Sequence, residues 1–140
     1  PPQPPSEVTI TNLSSYTDFG TCSQYYMGNW QANTAAFTTS TGWSSAPGGL
    51  VTNPTFELIW EFPQALQLSN FTYDTSDTNS NWTITPHAYS NNIEVDISNM
   101  SVSNPVTVDK VKLTYSTSAA TPNMPVACKN MTIKYLTGGN

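Results

Sequence analysis

Polar and apolar residues alternate with a period of two along most of this chain. Val8 and Ile10 are separated by threonine, and Phe56, Leu58, Trp60 and Phe62 take one side of a run whose other side holds Glu57, Ile59 and Glu61. Ile93, Val95 and Ile97 alternate with Glu94, Asp96 and Ser98; Val111, Leu113 and Tyr115 alternate with Lys110, Lys112 and Thr114. Met131, Ile133 and Tyr135 close the series. Successive side chains of a strand point to opposite faces, so the pattern predicts half-buried β-strands. Helical periodicity is nearly absent. Only Gln31 to Phe37, with its alanines, could form a helix, and Asn33 and Thr34 weaken it.

Turn chemistry bounds the runs: Ala46 to Gly49, Asn53 with Pro54, Phe62 with Pro63, Thr85 with Pro86, Asn104 with Pro105, and Ala120 to Pro125. About eight short strands punctuated in this way predict an all-β chain folded as an antiparallel β-sandwich, jelly-roll or Ig-like. Four of the first five residues are prolines, which suit an extended polyproline segment. Residues 1–6 therefore read as the remnant of a Pro-rich linker and 7–140 as a single sandwich domain, which points to a modular parent protein.

Composition narrows the function. Charged residues make up 9% of the 140 positions, against about a quarter in typical chains, while aromatics reach 11%. The net charge is −5, the four cations are all lysines, and there is no arginine. Nucleic acid is recognised by dense positive charge and bidentate guanidinium contacts, so nucleic-acid binding is excluded, and anionic membranes are excluded on the same ground. No apolar run approaches the roughly twenty residues needed to cross a bilayer as a helix.

Cys22 and Cys128 stand near the two ends of the folded region. An even count in a chain rich in Ser, Thr and Asn predicts one disulfide made in an oxidising compartment, hence secretion. By loop entropy such a bridge stabilises by roughly 4–5 kcal/mol. The alternative is two unpaired buried thiols. Asn-x-Ser/Thr triplets at Asn12, Asn70, Asn81, Asn99 and Asn130 fit secretion without establishing it.

Catalytic constellations are wanting. His87 is the single imidazole, it follows Pro86, and it reads as a solvated loop histidine. No Gly-x-Ser-x-Gly elbow presents a serine, one histidine is too few for a copper monooxygenase site, and zinc fails on ligand count. Glu57 and Glu61 lie about 13 Å apart along one strand, farther than a glycosidase pair requires, and read as solubilising charges on an outward face. No enzyme activity and no metal or other cofactor are expected. Asp74 to Asn81 places oxygens at alternate positions, but Trp82 and Ala88 occupy the EF-hand glycine and glutamate positions. A polar turn is the favoured reading there, with an irregular calcium site as the alternative.

The aromatic surplus remains. Trp60 belongs to the core because Phe56, Leu58 and Phe62 share its face. Trp43 lies in a Gly/Ser/Pro-rich loop, and Trp30 and Trp82 each follow an asparagine in polar surroundings. Exposed indoles grouped on a surface mark a binding site. Half-burying a tryptophan against a pyranose ring contributes about 2.5 kcal/mol, so two or three rings suffice for weak to micromolar binding of a neutral polymer. The candidate ligand-binding set is Trp30, Trp43 and Trp82 with Tyr26 and Tyr89, and Asn29, Gln31 and Asn81 to pair with hydroxyls.

Leu58 to Pro63, Leu66 to Leu68 with Asn70, Asn92 to Asn99 and Val111 to Tyr115 resemble the central strands of family 2 carbohydrate-binding modules. The similarity spans about residues 20 to 120. It implies a β-sandwich appended to a secreted wall-active protein, binding cellulose, chitin or xylan through a flat row of aromatics, with Trp60 buried and Trp30 as the first surface aromatic. The chain departs from that pattern at Met100 and Ser101, where a later surface tryptophan is usual, and at Cys128, which precedes a final strand. Two readings follow: a non-catalytic carbohydrate-binding module anchoring a secreted protein to an insoluble polysaccharide, or an adhesion or structural Ig-like domain. Exposure of Trp30, Trp43 and Trp82 on one face separates them.

Overall fold

In the computed structural model the described residues are 6–10, 21–26, 29–32, 43–45, 55–118 and 125–138, with the backbone alone for 21–26, 29–32 and 43–45. Nine strands run through them: β1 (Ser6–Ile10), β2 (Thr21–Tyr26), β3 (Asn29–Ala32), β4 (Trp43–Ser45), β5 (Thr55–Asp74), β6 (Thr83–Ser90), β7 (Ile93–Val95), β8 (Val106–Ser116) and β9 (Val126–Thr137). Every pairing is antiparallel. The conceivable helix is not formed at its start, because Gln31 and Ala32 lie in β3; 33–37 fall outside the described residues. β1 begins at Ser6, one residue inside the expected linker, and the rest of that linker lies outside the described residues.

The order β1-β9-β5-β8-β6-β7 is one continuous path, with β2 added to β5, β3 to β2, and β4 to β9. The expected sandwich is thus met at the coarser level: all-β and antiparallel, with the strands joined in one connected sheet. β5 organises it. Its first half pairs with β2 (Thr21 to Tyr26 opposite Glu61 to Phe56) on one edge and with β8 on the other. The β8 register then shifts between Glu61 and Leu66, and from Gln67 the edge that β2 held is taken by β9. Phe62 with Pro63 was expected as a turn. Pro63 lacks the N–H that a ladder needs, and here it sits inside a bulge of a 20-residue strand, where that loss is tolerated.

Alternation sets the core as expected. Phe56, Leu58, Trp60 and Phe62 from β5, Val111, Leu113 and Tyr115 from β8, Ala88 from β6, and Ile10, Met131 and Ile133 from β1 and β9 form one buried cluster. The Tyr115 hydroxyl donates to the Ala127 carbonyl (3.0 Å). β9 is not a ladder partner of β8, so this bond joins two strands that do not pair. Thr85 with Pro86 proves to be strand and not turn: β7 covers only the last residues of β6, so Pro86 lies where β6 is an edge and its missing donor costs no ladder bond. β7 is shorter than the pattern predicts. Val95 and Ile97 pack partly against the core, while Ile93, at the hairpin tip beyond the last core row, is 70% exposed.

Cys128 is a buried free thiol, so the expected disulfide is not seen; the Cys22 side chain lies outside the described residues. In the ladders, Cys22 of β2 is opposite Trp60 and Cys128 of β9 is opposite Trp43. Burial pushes the Cys128 thiol up to about 12, against the lowering effect of the Tyr115 hydrogen bond.

Candidate functional site

The outward residues of β6, β7, β8 and the first half of β5 draw together much of this chain's sparse charge. His87 and Tyr89 flank the buried Ala88 and therefore face outward, opposite Lys112 and Lys110 of β8. His87 Nδ1 hydrogen-bonds with Glu94 Oε2 of β7 at 2.6 Å, and the His87 and Tyr89 rings stack with centroids 6.3 Å apart. Lys110 and Lys112 place their ammonium groups 5.0 and 5.2 Å from the Tyr89 ring centroid, within cation–π range. Lys112 also pairs with Glu57 (3.0 Å). Burial works against the Lys112 charge, but hydrogen bonds with Tyr89 and Glu57 and the Glu57 charge outweigh it and raise its pKa.

His87 is therefore not a solvated loop histidine. It is a strand residue, half-buried and partnered, and the sequence signal for it was the alternation of His87 and Tyr89 around Ala88. Glu57 and Glu61 do face outward as expected, yet their roles differ, since Glu57 is tied to Lys112 and Glu61 borders a cleft.

That cleft, about 390 Å³, is also lined by Lys110, whose ammonium lies over the Tyr89 ring. One wall is the β5 bulge at Pro63, Gln64 and Ala65; the other is the turn at Asn91 and Asn92; Phe62 and β8 close the base. The turn is a two-residue hairpin loop between Ser90 and Ile93, and both asparagines take left-handed backbone angles, φ 52° and 66°. Positive φ at both positions is the type I′ form of such loops, and asparagine tolerates it better than most side chains. Asn91 donates its N–H to Asp109 Oδ2 (2.9 Å), and Lys110 Nζ donates to Asn92 Oδ1 (3.2 Å). Lys110 thus joins the Tyr89 ring to the cleft rim. No motif pointed to this cleft, because its walls are twenty-six or more residues apart in the chain.

Of the residues expected to bind, Trp82 is corrected: it is 6% exposed and packs edge-on against Phe56, with centroids 5.5 Å apart. The loop ahead of it is tied down. Asn79 N–H donates to the Pro125 carbonyl (2.9 Å), Trp82 N–H to the Asn79 carbonyl (3.1 Å), and the Thr78 hydroxyl both accepts from Ala127 N–H and donates to Ala127 O, at 2.9 Å each. Held against β9 in this way, the loop delivers the indole to the core. Asn81 is exposed in the same loop, apart from the cleft, with its N–H donated to Asn79 Oδ1. Tyr89 stays at the surface, half-buried. Trp30, Asn29 and Gln31 lie in β3, Tyr26 in β2 and Trp43 in β4, and their side chains are outside the described residues. Register puts Trp30 opposite Tyr25 and Tyr25 opposite Glu57, while Trp43 is opposite Cys128 at the far strand β9. Trp30 and Trp43 therefore stand on separate parts of the sheet.

The Asp74 to Asn81 segment forms a polar turn. Asp74 Oδ1 accepts from Ser76 N–H (2.9 Å), and this contact with Ser76 lowers the Asp74 pKa. Lys129 pairs with Asp77 at 3.1 Å. Among the described residues no group of three or more His, Cys, Asp or Glu side chains stands ready to hold a metal ion, and no helix is long and apolar enough to cross a membrane. Compared with known protein families, curated proteins and solved structures, the chain gave no match.

Proposed function

We propose that this chain is a non-catalytic carbohydrate-binding module of a secreted, modular protein, anchoring its parent to a polysaccharide such as cellulose, chitin or xylan, with its sheet closing as an antiparallel sandwich. The observation that carries this reading is Tyr89, half-buried on the outer face of β6 and joined through Lys110 to a cleft lined by amides and carboxylates. An aromatic face takes the apolar face of a sugar while neighbouring amides and carboxylates take its hydroxyls. The similarity to family 2 carbohydrate-binding modules supports the same reading, with Trp30 as a further aromatic contact.

Burial of Trp82 favours the second reading, an adhesion or structural Ig-like domain, because it removes one ring from the expected platform. Pull-down on insoluble cellulose, chitin and xylan distinguishes the two, with Tyr89→Ala, Trp30→Ala and Trp43→Ala beside the unchanged chain. The expected result is retention by at least one polymer and its loss in Tyr89→Ala. Retention by none overturns the carbohydrate reading, and release of reducing sugar overturns its non-catalytic part.

A further inference from the structure

We infer that the cleft between the β5 bulge and the Asn91–Asn92 turn is a binding site for a short stretch of a neutral, soluble glycan; the inference rests on the carbohydrate reading and narrows it to a site and a ligand class.

Three observations carry it. First, the rim is fixed by its own polar contacts. Glycine makes a two-residue hairpin loop at least conformational cost, yet both positions here are asparagine, one held by Asp109 through its N–H and the other by Lys110 through its side chain. Second, the groups match hydroxyls and not anions. Glu61 and Asp109 accept hydrogen bonds, Gln64 and the two asparagines both donate and accept, and Lys110 donates. A sugar hydroxyl does both at once, so a mixed lining suits it. Two carboxylates against one ammonium leave the cleft net negative, which repels uronates, sulfates and phosphates. Third, the volume of about 390 Å³ is near the lower end of the usual range for small-ligand pockets, roughly 300–1,000 Å³. It admits about one or two sugar rings, whereas the flat face of a crystalline polymer cannot enter a concave site between a bulge and a turn.

Calorimetric titration of the whole chain with cellohexaose, xylohexaose, mannohexaose and chitohexaose tests this, with trigalacturonic acid as the anionic comparison. At least one neutral hexaose is expected to bind and trigalacturonic acid is not. Glu61→Gln and Asn92→Gly are each expected to weaken binding about tenfold or more. Asn92→Gly keeps the fold testable, because glycine suits the left-handed angle and its thermal midpoint should hold or rise. Unchanged affinity in both variants overturns the site, and trigalacturonic acid binding as tightly as the hexaoses overturns the ligand class. Retention on an insoluble polymer without binding of any hexaose overturns the site while leaving the carbohydrate reading intact. Retention on no polymer together with binding of no hexaose overturns both.

Discussion

The two faces of the β5–β8–β6 sheet are built by different rules from the same strands. The inner face is apolar and continuous: Phe56 opposite Tyr115 opposite Ile84, then Leu58 opposite Leu113, then Trp60 opposite Val111 opposite Ala88. The outer face is a mosaic whose polar contacts run diagonally between strands: Lys112, directly opposite Ile59 and His87, reaches Glu57 and Tyr89, and His87 reaches Glu94, which is directly opposite Tyr89. The inner face needs only apolar residues at every second position, whereas the outer face needs particular residues at particular registers. A shift by one residue would exchange the two faces and bury the lysines.

The sharpest way to break this contrast is to truncate one aromatic on each face. Trp82→Ala, which empties the site against Phe56, is expected to destabilise by about 3–5 kcal/mol, whereas Tyr89→Ala should cost about 1 kcal/mol or less. Denaturant unfolding of both variants measures it. Equal losses would mean that Tyr89 is a packing residue and that the outer face is structural.

A smaller effect tests the inner face through pH. Burial pushes the Cys128 thiol in the folded chain from its ordinary value of 9.0 up to about 12. Between these values the unfolded chain has released a proton that the native chain still holds. Stability is therefore fully present below pH 9 and falls as pH rises towards 12, by about 1.4 kcal/mol per pH unit. Urea midpoints at pH 8, 9 and 10 are expected to decline in the unchanged chain and to decline less in Cys128→Ala. A pH-independent midpoint would show Cys128 to be solvated or bridged. Alkylation under native conditions should correspondingly spare this thiol until the chain unfolds.

The smallest effect belongs to the outer face. Glu57→Gln removes the partner of Lys112 at a half-buried position, and by analogy with partly exposed ion pairs it should cost about 1 kcal/mol or less. The loss should shrink in high salt, since Coulomb attraction between exposed charges is screened. A larger, salt-independent loss would mean that the pair is packed as tightly as the core.

Much of the inner face was legible beforehand. The alternations at Phe56–Phe62, Val111–Tyr115 and Met131–Ile133 became strands with those residues buried, and Trp60 is in the core as its neighbours implied. Two prolines depart from their local signal for the same reason. Pro63 and Pro86 look like turn signals locally, but a bulge and an edge strand each accept a missing N–H. The polar residues before Trp82 point locally to a surface indole. Those polar residues are spent on backbone contacts to β9, and that is what carries the indole inward.

The sequence by itself determined the alternating strands of the described residues, the apolar positions of β5, β8 and β9 that line their core, and a charge that is sparse and net acidic. These follow from period-two alternation and composition, which are local or additive properties. Tertiary structure alone decided that Trp82 is buried, that His87 is partnered by Glu94, and that Glu61, Gln64, Asn91, Asn92, Asp109 and Lys110 share one cleft. The reason is register: pairing of distant strands brings residues 57, 87, 94 and 112 into contact and joins a bulge at 63–65 to a turn at 91–92. No window along the chain is long enough to contain that information.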